Sequence, residues 1–96
     1  MTRLQTKNFN ILIDQCTIIA QALDIVLILK PSYSFLTETI LKDEFTLGFK
    51  TRDSQYGDWI NFHGRDLKTI DSRAVLLERV GALILRVAVQ FKTRIL

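Results

Sequence analysis

The sequence predicts a small α+β fold, and three observations carry that expectation. Two long stretches repeat their polar residues at helical spacing, a glycine-bearing stretch between them alternates apolar and polar residues, and 96 residues leave room for one core only. The chain therefore reads as a single domain, 1–96, of two long, largely apolar helices flanking a short helix and a two-stranded β-hairpin.

From Lys7 to Leu29 the polar positions Asn10, Asp14, Thr17, Gln21 and Asp24 recur at steps of four and three, a narrow polar stripe on an otherwise apolar helix. Lys30-Pro31 is expected to end it, because proline cannot continue the hydrogen-bond ladder. The β-branched run Ile25 to Leu29 also suits a strand. Ser34 to Phe45 reads as a short helix capped by Ser34, with Glu38 and Lys42 as an i, i+4 pair, although Phe35 to Ile40 has strand character too.

Phe45 to Thr51 and Trp59 to His63 read as the two strands of a hairpin joined by Asp53-Ser54-Gln55-Tyr56-Gly57-Asp58. Ile60 and Phe62 share one face of the second strand, and Trp59, Asn61 and His63 the other. From Asp71 to Arg94 the chain returns to helix, with Arg79, Arg86, Gln90 and Thr93 as its polar stripe.

Two helices apolar over so much of their circumference need more cover than one hairpin and one short helix supply, so a second chain is expected against them. Ala74, Gly81 and Ala88 recur every seven residues on the last helix and mark a line where backbones could approach closely. The same reading sets Asp14 and Asp24 opposite Arg79 and Arg86 on a neighbouring helix.

The chemistry-bearing residues are few. The stretch from Thr46 to Asp66 holds the only Trp and the only His. Tyr56, Trp59, His63 and Arg65 are the candidate partner-binding residues, since aromatic and Arg side chains combine large contact area with a polar handle. A catalytic His63 would need a positioned partner and a pocket. Cys16, the only cysteine, sits between apolar turns and reads as a packed thiol. Single Cys and His residues provide no zinc framework, and no phosphate-cradling Gly-rich loop appears, so no metal, cofactor or catalytic residue is assigned.

The net charge is +3, and from Arg65 onward seven cations face three carboxylates. Lys50, Arg52, Arg65 and Lys68, interleaved with aromatics, are the candidate contacts for nucleic acid, but Asp53, Asp58 and Asp66 lie among them. Asp14 interrupts the signal-like N-terminal run, and Asp14, Asp24 and Arg86 break both apolar stretches before a membrane span is reached. The expectation is a cytoplasmic, non-catalytic protein of regulatory or assembly type, binding itself and another protein. A dimeric nucleic-acid binder using the 46–68 hairpin and the basic last helix is the alternative.

Overall fold

A computed structural model describes residues 1–53 and 56–95, with side chains of the last helix described as far as Gln90. Helix α1 (Arg3–Leu23) leads into strands β1 (Val26–Ser34), β2 (Thr39–Lys50) and β3 (Gly57–His63), then a 3-10 turn (Gly64–Leu67) and helix α2 (Ile70–Ile95). The strands form one antiparallel sheet in the order β1-β2-β3. The α+β class holds, but the short helix and two-stranded hairpin are replaced by a three-stranded sheet.

Two local causes account for the correction. α1 stops at Leu23 because Asp24 takes a left-handed conformation, φ 56° and ψ 42°, from which its N–H closes on the carbonyls of Ala20 and Gln21. Asp tolerates that region better than most residues, and the β-branched run after it then extends. Residues 25–29 thus enter a strand, with Leu27 opposite Phe49 and Leu29 opposite Leu47. Pro31 breaks no helix: it lies in edge strand β1, beside a register shift before Tyr33, where a missing N–H is tolerated.

Residues 34–45 form no helix. Glu38 turns the chain at φ 54°, and Tyr33 then pairs with Ile40 and Pro31 with Phe45. One surface Glu–Lys pair contributes about 0.2–0.5 kcal/mol to a helix, too little to outweigh cross-strand pairing of aromatic and β-branched residues.

Both helices pack on one face of the sheet. α1 buries Leu12, Cys16 and Ala20 at steps of four, and α2 buries Leu76, Val80, Leu83 and Val87 at steps of four, three and four. They meet Leu47, Phe49 and Phe62 from the sheet, with Phe9 and Phe45 in ring contact at 4.8 Å. The helices begin at the same end of the sheet, because Gln5 Nε2 donates to the Gly64 carbonyl and buried Asn8 Nδ2 to that of Leu67, each at 2.9 Å.

The polar stripe of α2 serves the sheet, not α1. Arg79 Nη2 donates to the Asn61 carbonyl at 2.7 Å and Arg86 Nε to Asp58 Oδ2 at 2.8 Å, while Asp24 pairs with Arg52 at 2.6 Å. Within the subunit, then, Asp14 and Asp24 do not face Arg79 and Arg86, because α2 lies against β3 and its arginines reach that edge first. Edge groups of β3 are answered in turn: Trp59 N–H by Asp58 Oδ1, the Asn61 carbonyl by Arg79, and His63 N–H by Asp66 Oδ2. Such an edge offers little to another strand.

Candidate functional site

Three strands with helices on one side leave the other side of the sheet uncovered. Alternation puts Ile28, Gly48 and Trp59 side by side in one row across that face, and Lys30, Thr46 and Asn61 in the next. Around them opens a groove of about 450 Å³, closed at one end by Tyr33 and Phe35. Gly48 forms its floor. A Cβ there would stand 3.0 Å from the Asp58 carbonyl and 3.2 Å from Trp59 Cβ, so any side chain at this point would press β2 and β3 apart by a few tenths of an ångström, and glycine avoids that.

The polar row is ordered. Thr46 Oγ1 donates to Asn61 Oδ1 at 2.7 Å, so its contact with Ser32 Oγ at 3.1 Å has Ser32 as the donor. The Asn61 amide is thereby held with Nδ2 as its unspent donor. Lys30 has no carboxylate partner among the described residues.

Of the four sequence-designated partner residues, Trp59 stands on this face, 63 % exposed, and Tyr56 is exposed at the end of the hairpin where β3 begins. His63 lies at the far end of β3, about 20 Å from Gly57 at 3.3 Å per residue. Its Nδ1 accepts the Arg65 N–H at 3.0 Å, and with Asp66 it caps the 3-10 turn. Neither groove described here is lined by His63. Tyr56, Trp59, His63 and Arg65 are thus strung along one strand and its ends, not gathered.

The four cations read for nucleic acid separate in the same way. Lys50 and Arg52 lie where β2 turns toward β3, with Arg52 held by Asp24, and Arg65 and Lys68 follow the opposite end of β3. The turn positions Ser54 and Gln55, and the side chains of Thr93, Lys92 and Arg94, lie outside the described residues.

What sequence reasoning missed is the contribution of β1 and its turn. Tyr33 and Phe35 meet edge to face at 5.0 Å, Phe35 is 87 % exposed and Leu36 98 %. The alternation Tyr33-Ser34-Phe35 carries the signal, but a helix read from Ser34 cuts it in two.

On the opposite side of the molecule, a groove of about 310 Å³ runs between α1 and α2 over Ile11, Gln15, Ile70, Ala74 and Leu77. Ala74 and Gly81 are exposed and Ala88 half-buried, on the side of α2 turned toward that groove. A Cβ at Gly81 would meet nothing within 4 Å. Leu4, Ile11 and Ile18 make an exposed line on α1 at seven-residue steps, and Ile70, Leu77 and Leu85 are exposed on α2.

Cys16 is buried, and that burial pushes its thiol up to about 11. Among the described residues no three His, Cys, Asp or Glu side chains come together as a metal site, and no helix is long and apolar enough to cross a membrane. No family model matches this chain, and no curated protein or solved structure is significantly similar to it.

Proposed function

We propose that this chain is a non-catalytic protein of regulatory or assembly type that acts through protein contacts and pairs with a second copy through the outer face of its two helices. The observation that carries the reading is Gly81. A glycine inside a helix destabilises it by about 1 kcal/mol relative to Ala, and nothing among the described residues of its own chain lies near enough to require one. A backbone of another helix approaching at that point would.

The surroundings support it. Leu77 and Ile84 stand one turn before and one turn after Gly81, and Ile11 and Ile18 line the facing helix. The helices span about 32 and 39 Å at 1.5 Å per residue and lie roughly 10 Å apart, a strip on the order of 600 Å² before side-chain relief. A stable dimer covers about 800 Å² per partner. The non-catalytic part rests on how the polar side chains of the hairpin are used: His63, Asp58 and Asp66 are engaged with backbone N–H groups and Arg86.

Gly81→Leu separates the alternatives. In an isolated subunit the new side chain has open space and better helix propensity, so thermal stability should hold or rise. In the pair it blocks the approach, and sedimentation equilibrium should report the single-chain mass. A Gly81→Leu protein that still sediments as the wild-type species would sink the helix-face contact.

A further inference from the structure

The uncovered sheet face is independent of the helical face, since the two lie on opposite sides of the molecule. Its groove is more than apolar surface: it joins a planar wall, a floor without a side chain, an ordered amide donor and a cation that lacks a carboxylate partner among the described residues. Trp59 and Ile28 flank Gly48 across the strands, which leaves a slot one side chain wide. Slots with an aromatic wall take flat rings.

The second row sets what else the occupant carries. Lys30 lies two strand spacings and one two-residue step from Trp59, roughly 12 Å between their Cα atoms. An ammonium on a four-carbon stem covers about half of that distance, which places an anionic group several ångströms beyond a ring stacked on Trp59. Asn61 stands next to Trp59 on the same side of β3 and in the row of Lys30, so its spare Nδ2–H is offered beside the path from ring to anion. A purine or pyrimidine joined through its sugar to a phosphate has this order of parts: flat ring, oxygen-rich linker, anion.

We propose that this face binds a nucleotide, with the base against Trp59 above Gly48, a sugar or base oxygen accepting from Asn61 Nδ2, and the phosphate at Lys30. The same chemistry is offered by a free mononucleotide and by one unit of a single strand. Either source needs only this slot, not the 46–68 cations, which the fold separates.

Trp59 is the only Trp, so its fluorescence reports the site directly. The full chain is titrated with AMP, adenosine, ribose 5-phosphate and a ten-residue oligoadenylate. AMP should quench saturably below about 1 mM, adenosine should bind more weakly, and ribose 5-phosphate should cause no quench. Lys30→Gln should weaken AMP about tenfold, the loss of one charge-assisted contact, and leave adenosine unchanged. Gly48→Val should abolish quenching, with circular dichroism verifying its fold; should that variant unfold, Lys30→Gln decides. Equal affinity per nucleotide for AMP and oligoadenylate assigns the site to free nucleotide, and a much tighter oligoadenylate to single strands. Absence of saturable quenching by both AMP and oligoadenylate, or AMP affinity unaltered in Lys30→Gln, overturns the proposal.

Discussion

Cys16 and Asp58 show how single residues couple this fold to pH. The Cys16 thiol, 1 % exposed, ionises near 9.0 when unfolded but at about 11 in the core. Between those values the unfolded chain releases a proton that the native chain keeps. Stability is therefore full below pH 9 and declines toward pH 11, by at most about 1.4 kcal/mol per pH unit from this group. Denaturant titrations at pH 8 and pH 10.5 should show a steeper loss for wild type than for Cys16→Ala. Asp58 works in the opposite sense. Its hydrogen bond from Arg86, with a second from the Trp59 N–H, holds its carboxyl below the ordinary 3.8. Its contribution is present above that value and fades as pH falls through the lowered one. The pair is partly exposed, so Arg86→Gln should cost no more than about 1 kcal/mol at pH 7, and the difference from wild type should shrink below pH 3.8.

At the scale of elements, α2 and the hairpin-forming half of β2 with β3 were legible, because each carries a clean period. Leu76, Val80, Leu83 and Val87 repeat as a helix does, and Ile60 and Phe62 alternate against Trp59, Asn61 and His63 as a strand does. The end of α1 was not legible, because Asp24 fits the polar stripe of a continuing helix as well as it fits a left-handed cap. One backbone angle decides between them. That decision moves Ile25 to Leu29 from a helix into a strand, and it changes Pro31 from a helix stop into an edge residue. The helical reading of 34–45 also hid the open-face groove, since one of its walls, Phe35, comes from that segment and another, Tyr33, directly precedes it. Asp24→Val tests the cap. A β-branched residue at φ 56° is strained by roughly 1–2 kcal/mol, so the unfolding free energy from denaturant titration should drop by about that much, whereas Asp24→Gly should cost little beyond its ion pair with Arg52. Leu83→Ala removes a side chain with no exposure from the centre of α2 and should cost about 2–5 kcal/mol.

The whole molecule is a two-layer plate, 44 × 32 × 18 Å, and each broad side is left apolar in a different manner. The sheet side is a slot with ordered polar groups, suited to a small flat ligand. The helix side is longer and smoother, with Gly81 where no neighbour among the described residues asks for a glycine. Two plates placed helix side to helix side would cover Ile11, Ile18, Leu77 and Leu85 while keeping Trp59 and Lys30 outward on both copies. The three-stranded sheet covers the helices on the core side only, and Ile11, Ile18, Leu77 and Leu85 stay exposed on the outer side. Sedimentation velocity of the wild-type chain over a hundredfold range of concentration tests this claim most directly. A pair joined through the helices should sediment as a species of twice the 11.1 kDa subunit mass that dissociates only on dilution. A single species of one subunit mass at every concentration would contradict it.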